Sequence, residues 1–413
     1  METLEPKLRF PEFDGNVNYL YKKKSFEDVF LFSTGKNIKQ NEASPEFETL
    51  CVRYGELYHM YNEVIKVVIN RTNLDKSELI FSRGDEILLP SAGEDPLDIG
   101  SASALTVENV AIGRTINILK PLKQNVYSNI YAAYYINHKL REKIATLAKG
   151  VSISNVYNSD LKTLTINLPL LEEQTKIANF LSSVDEKLNL LKEKKSLLEE
   201  YKKGIMQKIF NQELRFKDDN GNDFEDWEEK SLVEICSKVQ SGGTPKSTNR
   251  DYYDGDIPFL SISDMTKQGK FLHYTTKHIS NDGLKNSSSW IVPINSIIYS
   301  MYASVGFVAI NKIPLATSQA VLNLILKENI CIDYVYYFLY DFQKYLTEYI
   351  TTGTQGNLNA QTVKGFIIPI PSFKEQTKIA NFLSAIDEKT ELVVTQIEDT
   401  QEYKKGLLQQ MFI

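Results

Sequence analysis

The chain has 413 residues, 42% of them hydrophobic and 24% charged, a soluble globular composition that excludes a disordered or fibrous protein and supplies two or three domain-sized cores. Its 47 Lys and Arg against 53 Asp and Glu give a net charge of -6, without the basic excess that usually marks a nucleic-acid binder. Three cysteines (Cys51, Cys236, Cys331) and four histidines (His59, His138, His273, His278) form no ligand-spaced cluster, which argues against a disulfide framework and a structural zinc site. A reducing cytoplasm is the expected location. The start, METLEPKLRF, has no apolar run, and the longest apolar stretch, residues 296–310, is broken by Ser and Tyr short of the ~20 residues of a span, so no membrane segment is expected.

An internal repeat organises the chain. Residues 173–187 read EQTKIANFLSSVDEK and residues 375–389 read EQTKIANFLSAIDEK, identical at 13 of 15 positions at an offset of 202. The offset holds without a gap to Tyr201-Lys202-Lys203-Gly204 and Tyr403-Lys404-Lys405-Gly406, as a continuous helix requires. Weaker matches lie upstream: Leu8-Arg9-Phe10 pairs with Leu214-Arg215-Phe216 at offset 206, and Ile166 to Pro169 pairs with Ile368 to Pro371. In chain order the reading is a first domain over 1–171, a central helix over 172–212, a second domain over 213–373 and a C-terminal helix over 374–413. Both domains read as short β-rich runs between polar loops, and their interiors scarcely resemble each other. Segment charges are -1 for 1–171, +1 for 172–210, -4 for 211–373 and -2 for 374–413, so no part is strongly basic.

The repeated segments carry a helical three-four seam of apolar residues: Ile177, Leu181, Val184, Leu188 and Leu191 in one, Ile379, Leu383, Ile386, Val393 and Ile397 in the other. Each follows a proline, and Ser372 with Glu375 has the capping-box signature that Leu170 with Glu173 lacks. Such helices either pair with each other or leave their seams partly open. Pairing within the chain, antiparallel, would relate the domains by an approximate two-fold axis, and a helix of about 39 residues would be ~58 Å long.

Catalytic signatures are missing. Gly242-Gly243-Thr244-Pro245-Lys246-Ser247 lacks the Gly-Lys-Ser/Thr ending of a phosphate-binding loop and has a proline in its turn. Gly353-Thr354-Gln355-Gly356 is no dinucleotide fingerprint, and no HExxH, GxSxG or base-gripping Asn/Asp-Pro-Pro-Tyr/Phe motif occurs. No catalytic residue and no metal ligand is therefore assigned. The candidates are polar loops at matching places in the two domains. One pair comprises Ser33, Thr34, Lys36, Asn37, Lys39 and Gln40 against Thr244, Lys246, Ser247, Thr248, Asn249 and Arg250. A second comprises Lys149, Ser152 and Asn155 against Thr354, Gln355 and Asn357, and Tyr302 is a further stacking candidate. Asn, Gln, Arg and Lys read base edges, while hydroxyls and amides suit phosphates. Ordinary solvated turns have the same composition.

The pattern LRF, then P-L-x-x-EQTKIANFLSxxDEK and YKKGIMQKIF, repeated with ELRFKDDNGNDFEDWEEKSL, SGGTP, Tyr253-Asp254-Gly255-Asp256-Ile257-Pro258 and YKKGLLQQMF, resembles the specificity subunit of type I restriction-modification systems over nearly the whole chain. Residues 26–154 match only in outline. The resemblance implies an α+β protein with two β-rich target recognition domains in a pseudo-two-fold arrangement, separated by two long helices forming an antiparallel coiled coil. It further implies a non-catalytic subunit for DNA methylation and phage defence, each domain reading half of a bipartite asymmetric site in double-stranded DNA. The seam residues would pair the helices, set the unread spacer and dock two adenine-methylating modification subunits, through which the motor-nuclease restriction subunits join. S-adenosylmethionine, ATP and Mg belong to those partners, with no cofactor on this chain. Tandem repeats that lengthen the spacer in some members are absent, which points to a short spacer. Two rivals stand beside this reading. One is a structural adaptor with two globular modules on a coiled coil that never touches DNA, which the acidic run 218–229 suits. The other, a self-sufficient methyltransferase or nuclease, lacks its motifs.

Overall fold

The computed structural model describes residues 5–15, 20–123, 125–348 and 358–413. They form two compact units, 1–192 with 395–413, and 193–394. The central helix, Leu171–Phe210, begins in the first and ends in the second, and the C-terminal helix, Phe373–Met411, does the reverse. The fold is α+β. No described helix is long and apolar enough to cross a membrane.

In the first unit, a five-stranded sheet runs edge to edge through Phe30–Thr34, Ile116–Pro121, Glu86–Pro90, Ser103–Leu105 and Val64–Ile65. In the second, the order is Cys236–Ser241, Val321–Leu326, Ile297–Ser300, Val308–Asn311 and Phe271–Leu272. Both are the order first, fifth, third, fourth, second, with the only parallel pairing at the last edge in each. Alternation places Ile87, Leu89 and Leu119 in a core with the helices and Leu88, Ile116 and Ile118 in a second core on the opposite face. Ile297, Tyr299 and Leu322 against Ile298, Ala309 and Val321 repeat that division. Strands covered on both faces read as continuous apolar runs, which is why no period-two signal marked them. A second, mixed sheet also recurs, with Thr49–Val52 between antiparallel Arg71–Thr72 and parallel Glu108–Ile112, and Tyr253–Leu260 between antiparallel Lys277–Ile279 and parallel Ala316–Thr317. Apart from a fourth strand, Phe81–Arg83, on the edge of the first unit's mixed sheet, the two domain interiors are thus one topology written in two dissimilar sequences.

The repeated motif supplies the anchors. Fully buried Glu173 accepts two hydrogen bonds from Arg9, at 2.8 and 2.7 Å, and Glu375 accepts from Arg215, at 3.3 and 2.9 Å, and from Trp227 Nε1. Gln174 accepts from Ser128 N and donates to Pro169 O, and Gln376 accepts from Cys331 N and donates to Pro371 O. Ser372 Oγ accepts from Glu375 N, yet the carboxylate does not complete the capping box, because Arg215 and Trp227 hold it. Farther along, Asp185 accepts from Tyr134 and pairs with Lys404 at 2.7 Å, as Asp387 accepts from Tyr337 and pairs with Lys202. Inside each unit a lysine of one long helix therefore meets an aspartate of the other, the start of one helix lying beside the end of its partner. Of the seam, Ile177, Leu181, Val184, Leu188, Ile379, Leu383, Ile386 and Val393 are buried, while Leu191 and Ile397 are half-buried. Phe412 against Tyr131 and Phe210 against Tyr334 close the same corner of each core.

Each first strand leaves its sheet for the second sheet by crossing the return turn, Ile112–Ile116 or Thr317–Val321. Gly35 N donates to Ile116 O and Lys36 N to Ile112 O, while Gly242 N donates to Val321 O and Gly243 N to Thr317 O. A Cβ at Gly35 would lie 1.9 Å from Gly113 O and one at Gly242 1.9 Å from Thr317 O, so the contact admits only glycine.

Replacing Glu173 by Ala removes the carboxylate that takes two hydrogen bonds from the buried Arg9 guanidinium and is expected to cost about 3–5 kcal/mol by denaturant unfolding, with the Arg9→Ala/Glu173→Ala double substitution costing less than the sum of the two single changes. Gly35→Ala and Gly242→Ala must push two backbones apart, with an expected loss of about 1–3 kcal/mol and faster amide exchange at the facing turn.

Candidate nucleic-acid interface

The two crossovers bring one group of the expected residues to the same end of each unit. Ser33 and Thr34 finish the first strand, with Ser33 O accepting from Asn158 Nδ2. Lys36 and Lys39 are exposed, and Gln40 opens a short 3-10 turn. Asn37 and Ile38 both take left-handed backbone angles, φ 52° and 56°. For a β-branched residue this is strained. Burial of Ile38 against Cys51 and Ala111, and donation by Asn37 Nδ2 to Glu78 O at 2.8 Å, hold the bend. Asn37 O in turn accepts from Arg114 N, on the return turn.

In the second unit, Thr244 is exposed at the position of Asn37, two residues after the crossing glycine, and its hydroxyl donates to Gln319 Oε1 at 2.7 Å. Lys246, Ser247, Thr248 and Arg250 form an exposed turn closed by Asn249, whose side chain accepts from Asp251 N, and Tyr253 Oη pins it by donating to Pro245 O. Tyr302 is partly exposed on a turn whose next two residues, Ala303 and Ser304, have φ 38° and 54°; Ser300 Oγ donates to the carbonyls of Tyr302 and Ala303.

The second expected group separates. Lys149 and Asn155 exchange backbone hydrogen bonds at the base of a hairpin with exposed Ser152 at its tip, and Asn155 pairs with Ala92 of the first unit. The Lys149 ammonium hydrogen-bonds Asp160, holding its carboxyl below the usual range. Thr354, Gln355 and Asn357 lie outside the described residues. The seam residues, expected to pair helices and to dock partners, are mostly buried inside the units.

Sequence reasoning passed over Arg114 and Gln319. Neither sits in a polar loop or a repeat, and only the backbone hydrogen bonds of the crossovers reveal that they are equivalent. Burial pushes the Cys51 and Cys236 thiols up to about 12 and raises that of Cys331, which favours the protonated form over the nucleophilic thiolate. Among the described residues no group of three His, Cys, Asp or Glu side chains is placed to hold a metal ion.

The chain matches the family described as Type I restriction modification DNA specificity domain over residues 19–200 and 224–400. It is 32% identical over 208 residues to the type I restriction enzyme MjaIX specificity subunit of Methanocaldococcus jannaschii, covering 49% of this chain and 48% of that one, so the match takes in about half the relative's length. With the putative MjaX specificity subunit of the same organism it shares 29% over 310 residues, 72% of this chain and 70% of the other. In fold it is similar to the crystal structure of the S subunit of a type I restriction-modification system from M. genitalium, with a TM-score of 0.63 at 20% identity over 99% of both chains. With two family matches across most of its length, each on a unit of the same topology, the chain belongs to the type I restriction modification DNA specificity family.

Proposed function

We propose that this chain reads DNA sequence for a type I restriction-modification complex, each unit recognising one half of a bipartite, asymmetric site in double-stranded DNA. The observation that carries this reading is the recurrence of one topology in both units, with the polar crossover at the same place and different side chains on it. A common frame with different side chains suits two different half-sites. Lys36, Lys39, Lys246 and Arg250 seek phosphates, and the amides read base edges. With a net charge of -6 and no strongly basic segment, the chain alone binds weakly, and its partners supply much of the grip on phosphate.

The long helices set the spacer, since each starts in one unit and ends in the other. Docking of two adenine methyltransferase subunits falls to their outer side chains. Leu190, Leu197, Tyr201, Leu392 and Tyr403 are more than half exposed, where a solvated helix face carries polar residues. In this reading the chain is non-catalytic and holds no cofactor. S-adenosylmethionine sits on the methyltransferase, ATP and Mg on the restriction subunits that join through it, and the target adenine flips into the methyltransferase pocket.

Exchanging residues 26–154 for those of another such domain should change only one half of the methylated sequence, read by methylation sequencing; a change in both halves would refute the modular reading. Four residues inserted in the central helix, ~6 Å of rise, should alter the spacer and neither half-site. Leu197→Glu with Leu392→Glu should abolish co-purification of the methyltransferase subunits while shifting stability by less than ~1 kcal/mol, as exposed positions do.

A further inference from the structure

We propose that Arg114 and Gln319 are the specificity-determining side chains of the two units, Arg114 reading a guanine and Gln319 an adenine from the major groove. The assignment rests on the DNA-reading function above and narrows it to one position in each unit.

The positions are equivalent by hydrogen bonding, not by sequence. The two return turns join the same pair of strands and span the same five residues, 112–116 and 317–321. Each receives backbone N–H donors from the glycine-led crossover at its first and last carbonyl, from Lys36 and Gly35 in one unit and from Gly243 and Gly242 in the other. The middle residue is Arg114 in one and Gln319 in the other, both exposed. A rigid backbone crossing that leaves the apex side chain open to variation meets the requirement of a reader: a fixed position with exchangeable chemistry.

The chemistry at the two apices is that of base-edge recognition. A guanidinium presents two parallel N–H groups to guanine O6 and N7, and a carboxamide presents a donor and an acceptor to adenine N7 and N6. Internal contacts leave both groups open. Among the described residues no carboxylate lies at ion-pair distance from Arg114, whereas Arg53 and Arg141 are paired with Glu56 and Asp98. Gln319 Oε1 accepts from Thr244, which orients the amide and leaves a second lone pair and the N–H groups free. The residues that hold the apices are themselves equivalent: Asn37 O accepts from Arg114 N at 2.9 Å, and Thr244 holds the Gln319 side chain. Asn37 and Thr244 are thus positioning residues. Beside Arg114 runs a cleft lined by Tyr54, Tyr58, Glu94 and Asp95. Its carboxylates repel a phosphate, which favours a base edge over backbone at this point.

The test mixes the tagged full chain, isolated with its bound partner subunits, with a randomised duplex DNA library and sequences the bound fraction. Arg114→Ala should relax one G·C pair in one half-site by about five- to a hundredfold and leave the other half-site intact. Gln319→Ala should do the same at one A·T pair of the other half. Thr244→Ala should loosen that same A·T pair alone, which a merely structural contact would not do. Melting curves matching the unsubstituted protein confirm that the exposed turns still fold. An unchanged motif in all three variants overturns the assignment and leaves the DNA-reading function standing, as does a uniform loss of binding at every sequence, the mark of phosphate contacts. Absence of any enriched motif with the unsubstituted protein overturns the function itself, and the assignment with it.

Discussion

Each unit is built around one buried carboxylate at the foot of a long helix. Glu173 and Glu375 have no exposed side-chain surface, and a charge so placed persists only with a partner. The partner arginine comes from the segment that opens the domain, more than 150 residues earlier in sequence. The ion pair therefore draws the beginning of each domain to its end, beside the antiparallel pairs Lys22–Ser25 with Thr165–Leu168 and Glu228–Ser231 with Ile367–Ile370. The adjacent glutamine bonds backbone groups of its own domain, which fixes the helix start against it. With the helix held there, the aspartate twelve residues on meets a buried tyrosine and the lysine of the opposing helix.

That arrangement accounts for where the two copies are identical and where they differ. An anchor needs a particular group at a particular distance, so Glu, Gln, Asp, Lys, Arg and Phe recur by identity. A strand buried on both faces needs only apolar side chains of suitable volume, and many sequences meet that condition. Hence Glu86–Pro90 and Ile297–Ser300 occupy the same central place in their sheets without resembling each other. The crossing of the first strand over the return turn lies between these extremes. Its close backbone approach demands glycine at Gly35 and Gly242, while the neighbouring side chains point outward and vary.

The abundance of tyrosine has a structural origin. Tyr131, Tyr134, Tyr334 and Tyr337 are fully buried with their hydroxyls donating to Asn167 O, Asp185, Pro369 O and Asp387. Burial beside carboxylates raises the hydroxyl of Tyr134 and of Tyr337 far above its ordinary range, so both stay neutral donors. Most of the tyrosines serve the cores in this way, while the stacking candidate Tyr302 is partly exposed on a turn.

From the sequence alone, the repeat at offset 202 set the two long helices, their seam and the division into two similar halves, because a helix records its contacts at a fixed local period. The polar crossovers were legible as loops and as counterparts. The identity of the sheets was not, since pairings such as Phe30–Thr34 with Ile116–Pro121 and Cys236–Ser241 with Val321–Leu326 join segments far apart in the chain, and a strand buried on both faces leaves no local period. Nor were the contacts of the crossover residues: Asn37 O accepts from Arg114 N and the Thr244 hydroxyl donates to Gln319, two residues that no motif marks. The sequence by itself determined the helices and their repeat; only the tertiary structure decided how their glutamates are anchored and which side chains stand at equivalent places in the two units, because those contacts join segments far apart in the chain.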